Sequence, residues 1–218
     1  MKLLVTGFEN FNGFENPTKK IAKALDGQQL NGVQIKGIEI PVNWRDSWPI
    51  INQYIETFAP DALVSFGLNT SISGIEIETK AYNIQGHIKD TEGNYPAHSY
   101  VQSNGPHALP TYLPADYLST MINNAQGKLI KILPNYPEGK LVGASLSNNA
   151  GNYLCNHVFY NSIYHQKEHL FIKGFIHMQG IQHGNDLSDL IQSGAFTINA
   201  LTQWMTSDTL HTTSRLIN

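Results

Sequence analysis

The chain has 218 residues, 41% of them hydrophobic, and a formal net charge of −3 from 14 basic and 17 acidic side chains. That is enough apolar material for one domain with a substantial core, and the charge balance gives no reason to expect nucleic acid as a partner. One cysteine excludes an internal disulfide and fits a reducing, cytoplasmic compartment; no run is long enough to span a bilayer, and Glu9 and Asn10 interrupt the opening apolar run too early for a signal peptide.

Lys2 to Val5 is a short apolar strand running into Thr6-Gly7-Phe8 and then an aromatic loop, Glu9 to Glu15. Asn16-Pro17 opens a helix, because Asn caps and Pro is pre-set for the first helical turn. Val33 to Val42 alternates as a strand, and Ser47 to Phe58 is a helix stopped by Pro60. Ala62 to Phe66 and Ile75 to Ile84 are strands. Gln85 to Pro114 is rich in Gly, Pro, Asn and His, and a stretch of that length without clear periodicity is usually a functional loop or an excursion over the surface. Pro114 to Gln126 is a helix, Lys128 to Lys140 has no clear pattern, and Leu141 to Leu146 is a strand. A helix from about Tyr153 to Tyr164, a strand from His169 to His177 and a helix from Leu187 to Met205 complete the order. The tail after about residue 206 is polar and expected to fray.

Alternating strands and helices predict an α/β class: a three-layer α/β/α sandwich with a largely parallel, mixed sheet, in one domain over residues 1–218. Sites in such sheets gather beyond the carboxyl ends of strands. The loops after Val5, Phe66 and Leu146, with His177 at the end of a fourth strand, are expected to converge on one edge.

The only cysteine, Cys155, follows Ala150-Gly151-Asn152-Tyr153-Leu154 and precedes an apolar helical stretch. A thiol at a helix start sees unpaired N–H groups and the positive end of the macrodipole, which favour the nucleophilic thiolate. The competing reading is a buried structural cysteine. A thiol nucleophile needs a base, and His177 is the best candidate. His157 lies two residues beyond Cys155 on the same helix and points elsewhere; His165 and His169 flank a connection and are expected to be solvated. The imidazole needs a carboxylate partner. Glu76 and Glu78 share one face of their strand and read, on pattern alone, as an ordinary solvated face; the pattern does not choose between them. The Gly7 to Phe14 loop fits neither phosphate-binding fingerprint, so its rings either pin the loop or line a pocket for a small flat group. No zinc-site spacing accompanies the nine histidines, so no metal or cofactor is expected.

Five segments together resemble the pyroglutamyl peptidase I (pyrrolidone-carboxylate peptidase) family. They are Val5-Thr6-Gly7-Phe8 with Phe11, Gly13 and Asn16-Pro17; Gly67-Leu68 with Ile75-Glu76-Ile77-Glu78 to Asn83; Asp90-Thr91-Glu92-Gly93-Asn94; Ala150 to Asn156 around Cys155; and Gly174-Phe175-Ile176-His177. The resemblance implies a phosphorylase/hydrolase-like fold and a catalytic triad of Cys155, His177 and Glu78. It implies hydrolysis of N-terminal pyroglutamate from peptides through a thioester, in the cytoplasm, without cofactor, by a chain that often forms tetramers. It also implies a lactam slot built from Phe8, Phe11 and Tyr153, with Leu68 offering a backbone carbonyl and Asn16 matching the opening motif. The family usually carries an Arg close to the oxyanion; here Gln85-Gly86-His87-Ile88-Lys89 has none, so His87 or Lys89 is the substitute to examine. Lys128 to Lys140 is longer than usual, and Met178-Gln179-Gly180 lacks the common proline. These departures keep two alternatives open: a weak relative that binds pyroglutamyl-capped peptides, and another small-acyl amidase on the same fold.

Overall fold

The computed structural model describes residues 1–11, 13, 15–165 and 170–207. Seven strands form the central sheet: β1 (Lys2–Phe8), β2 (Gln29–Leu30), β3 (Val33–Ile40), β4 (Ala62–Leu68), β5 (Ile75–Glu78), β10 (Ala144–Ser147) and β11 (Ile172–Met178), in the order β10-β5-β11-β4-β1-β3-β2. The core of this sheet, β3-β1-β4-β11, is parallel; β5 turns antiparallel to β11, and β10 follows β5 in parallel. Two small hairpins lie outside it, one pairing β6 (Lys80–Tyr82) with β7 (Ala108–Pro110) and one pairing β8 (Leu129–Ile130) with β9 (Gly139–Lys140).

Side-chain alternation sends each strand's apolar residues to two cores. On one face, Leu3, Val5, Val64, Phe66, Ile77, Ile176 and Met178 pack with α1 (Pro17–Leu25), α3 (Ala115–Ala125) and α5 (Leu187–Thr206). On the other, Leu4, Phe8, Leu63 and Phe175 pack with α2 (Ser47–Phe58) and α4 (Leu154–Tyr164). The mixed three-layer sandwich expected from the alternation of elements is what forms. Asn16 caps α1 as its position suggested, accepting from the Thr18 N–H at 3.0 Å.

Five local expectations need correction. The run Ile75 to Ile84 is not one strand. It breaks at Thr79, whose N–H and hydroxyl both donate to the Ser147 carbonyl, and β6 leaves the sheet because Asn156 of α4 takes both backbone groups of Tyr82. The strand placed at Leu141 starts at Ala144, since the N–H of Val142 is committed to the Ser193 hydroxyl. The stretch Lys128 to Lys140 holds the β8–β9 hairpin. His165 is not simply solvated: it stacks on Trp48 at 5.3 Å and lies 3.3 Å from the Gln102 amide. The strand expected from His169 begins at Ile172. His169 and the tail beyond residue 207 lie outside the described residues.

Candidate active site

The site grows from the end of the sheet that faces α4. The turn ahead of α4 is made by Gly151, whose φ of 78° is costly for any residue with a Cβ. Tyr153 then occupies the N-cap position without a side-chain cap. The first N–H groups of α4, that of Cys155 among them, therefore have no acceptor within the helix.

Beneath Cys155 lies Gly67 of β4. A Cβ added there would stand 2.9 Å from the Cys155 sulfur and 2.6 Å from the Phe175 ring. Absence of a side chain at this one position is what lets the sulfur settle onto the sheet. Directly across the ladder from Gly67 is His177 of β11. Its Nδ1 is 2.7 Å from Oε1 of Glu78, and both side chains are buried, Glu78 completely. The two glutamates of β5 do share the face of His177: Glu76 is its direct cross-strand neighbour, while Glu78 lies opposite Phe175, one pleat deeper. Glu78 is thus no solvated strand residue. Its depth, which pattern alone does not reveal, comes from the antiparallel register of β5 against β11 beneath α4.

Burial alone would push the His177 imidazole toward its neutral form. Electrostatic interaction and a hydrogen bond with Cys155, and then the same two from Glu78, outweigh burial and lift the pKa to about 10. Glu76, half-buried, is pushed upward by burial and by the charge of Glu78, and drawn back by His177. The donor atoms of Glu76, Glu78 and His177 lie within 4.8 Å of one another. The Nδ1 of His177 is already bound to Glu78, so this is a hydrogen-bonded acid–base pair with an added carboxylate rather than lone pairs converging on an ion.

Cys155 opens on a cavity of about 320 Å³. Phe8, Phe11, Tyr153 and Leu68, all singled out from the sequence, line it, together with Asn16. Phe11 and Tyr153 approach at 5.5 Å between ring centres. Asn16 contributes wall rather than a free polar group. Its oxygen accepts from the Thr18 N–H and hydroxyl, and its amide donates to the Glu9 carbonyl. Leu154, Val42, Asn69 and Thr70 complete the lining, and the last three were missed by sequence reasoning. Asn69 and Thr70 follow Leu68 directly, so the rule that sites sit past strand ends pointed to their loop without choosing residues.

The segment 88–92 closes the rim. The Tyr153 hydroxyl donates to the Lys89 carbonyl at 3.0 Å, the Trp44 indole to the Ile88 carbonyl at 3.0 Å, and Asp90 accepts from the Trp44 N–H. Burial, then the charges of Asp90 and Cys155, push the Tyr153 phenol to about 12, so it stays a donor. The Asp90-to-Asn94 motif is explained by this docking: Asp90 also accepts from the N–H groups of Glu92 and Asn94, which folds the turn. His87, the expected source of oxyanion support, is exposed, stacks on Tyr95 at 3.9 Å and does not line the cavity; the Lys89 ammonium sits over that same tyrosine.

A thiol at a helix start, beside a buried imidazole–carboxylate pair on the edge of an α/β/α sheet, has the make-up of a cysteine peptidase. A family model described as pyroglutamyl peptidase matches residues 1–188, and the chain belongs to that family of cysteine peptidases. Among similar proteins, the pyrrolidone-carboxylate peptidase of Pyrococcus furiosus is 36% identical over 182 residues, 82% of this chain and 80% of its own length. That of Halalkalibacterium halodurans is 29% identical over 212 residues, 91% of this chain and 98% of its own. A solved structure of a mutant Pyrococcus furiosus pyrrolidone carboxyl peptidase superposes with a TM-score of 0.80 at 28% identity, covering 94% of this chain and all of that one. Among the described residues no helix is long and apolar enough to cross a membrane.

Proposed function

We propose that this protein removes N-terminal pyroglutamate from peptides, with Cys155 as nucleophile, His177 as general acid and base, and Glu78 as the carboxylate that orients and charges the imidazole. The observation that carries the reading is the line Cys155, His177, Glu78 over neighbouring strands, opening on an apolar slot of about 320 Å³. Pyroglutamate suits the slot because its lactam is small, flat and uncharged. It needs no carboxylate to hold an ammonium, and the slot's faces come from Phe8, Phe11 and Tyr153.

The thiolate of Cys155 attacks the pyroglutamyl carbonyl carbon. A C–S bond forms, and the carbonyl electron pair moves to oxygen, where the free N–H of Cys155 at the start of α4 stabilises it. Collapse breaks the C–N bond as imidazolium His177 gives its proton to the leaving amine. Water then attacks the thioester, His177 takes its proton, and the thiolate leaves with pyroglutamate released. Glu78 keeps the ring in one tautomer and favours its charged form throughout. The cytoplasmic setting and a homotetramer belong to the same reading; light scattering on the purified chain tests the latter.

The position of His87 bears on rate. With that ring stacked on Tyr95, away from the cavity lining, His87 adds no donor to the helix start in this reading. Losing one donor typically costs about 10²–10³ in turnover. The experiment is release of a fluorophore from a pyroglutamyl amide. The reading predicts cleavage by the wild type and none by Cys155→Ala at unchanged melting temperature. Tight binding of pyroglutamyl peptides without turnover would favour the binding-only alternative. Preference for another acyl group would favour a different amidase.

A further inference from the structure

Glu78 is committed to His177 through Oε1, whereas the mechanism makes no use of Glu76. Its backbone faces His177 across the β5–β11 ladder, and its carboxylate lies within 4.8 Å of the Glu78 and His177 donor atoms. It is only half-buried, and it borders a second cavity of about 470 Å³, formed with Thr79, Leu146, Ser147 and Asn148 at the β5–β10 edge of the sheet. The strand order places this cavity on the opposite side of the Cys155–His177 pair from the lactam slot. The slot sits over β1 and β4, His177 follows on β11, and Glu76 and the second cavity follow on β5 and β10.

A substrate whose lactam fills the slot puts its scissile nitrogen beside His177. Its remaining residues then leave on the far side, past Glu76. Charge there is one-sided. With thiolate, imidazolium and two carboxylates, the cluster carries a net negative charge, and the basic group paired with it among the described residues is His177 itself. Resting on the peptidase reading above, we propose that Glu76 makes the leaving side of the site selective, favouring peptides with a lysine or arginine directly after the pyroglutamate and disfavouring those with an acidic residue there. Glu76 touches neither the sulfur nor the lactam in this scheme; it acts on the charge of the departing chain.

Three amidated dipeptides, pyroglutamyl-lysine, pyroglutamyl-alanine and pyroglutamyl-glutamate, test this with the wild-type protein. The expected order in kcat/KM is Lys, Ala, Glu, with about tenfold between the extremes at low salt, the size of opposite unit charges acting through a water-facing cleft. The spread narrows as salt rises. Glu76→Gln flattens the order and Glu76→Lys reverses it, chiefly through KM. Equal rates for the three peptides, or an order that survives Glu76→Gln, would overturn the inference while leaving the peptidase reading intact. Failure to cleave any of the three would overturn that reading instead, and this inference with it.

Discussion

Gly67 decides where the sulfur can sit. A methyl there would meet the Phe175 ring at 2.6 Å and the Cys155 sulfur at 2.9 Å, and the Phe175 ring is itself packed against His177 at 5.0 Å. Gly67→Ala should therefore cost about 1–3 kcal/mol in stability from overpacking, and lower kcat by about 10²-fold through misplacement of the nucleophile. Thermal melts and steady-state kinetics separate the two; full activity would show that the sulfur does not depend on this gap. His177 carries the pH dependence. In the proposed mechanism its imidazolium, opposed by burial but held to about pH 10 by the charges and hydrogen bonds of Cys155 and Glu78, is the proton donor for the leaving amine. The donor is present below that value and lost above it, so the falling limb of kcat/KM should lie well alkaline of the ordinary histidine value. Glu78→Gln weakens the hold on the charged ring. It should move that limb to lower pH and reduce turnover by about 10²- to 10⁴-fold. A pH–rate profile unmoved by that substitution would separate Glu78 from the chemistry.

At the scale of elements, α4 does two tasks with opposite faces. Its start presents Cys155, and His157, two residues on, lies half-buried against the excursion between β6 and β7. His157 Nδ1 donates to the Gln85 side-chain oxygen at 2.6 Å, since the Gln85 amide is already spent on the His98 and Tyr100 carbonyls. Asn83 gathers the same excursion, donating to the carbonyls of Gln102 and Gly105. This long stretch, legible only as irregular, is thus held largely by polar side chains, Gln85 and Asn83 among them, with Tyr160 donating to the Pro106 carbonyl and Val101 packed against the core under α4. Burial depresses the His157 pKa from 6.5 to about 4. The unfolded chain binds a proton in that window which the folded chain refuses. The contribution of His157 to stability is therefore fully present above pH 6.5 and is lost, by about 3 kcal/mol, as pH falls toward 4. Melting temperature against pH for the wild type and His157→Gln checks this. The variant should show a shallower acid decline, and an identical one would remove His157 from the account.

For the molecule as a whole, legibility followed burial and locality. The strands and helices of the two cores announce themselves because their apolar residues repeat at the period of the element. Cys155 and His177 stand out because thiol and imidazole are rare and sit at element ends. What stayed hidden depended on non-local pairing. Nothing in Ile75-Glu76-Ile77-Glu78 reveals that β5 turns antiparallel to β11, yet that register separates the buried carboxylate from the half-buried one. The resemblance to a known family pointed to Glu78, whereas the periodicity of the strand did not. The β8–β9 hairpin and the break at Thr79 were invisible for the same reason, being set by hydrogen bonds to Ser147 and by pairing across ten residues. Polar residues on the cavity wall, such as Asn69, carry no local signal at all. The central claim is the reactivity of one sulfur, and because Cys155 is the only cysteine in the chain, an alkylating reagent that modifies thiols addresses it alone. Hydrolysis of a pyroglutamyl amide by the wild-type protein should fall in proportion to the fraction of Cys155 alkylated, reaching zero at one equivalent. A fully alkylated protein that still turned the substrate over would contradict the account.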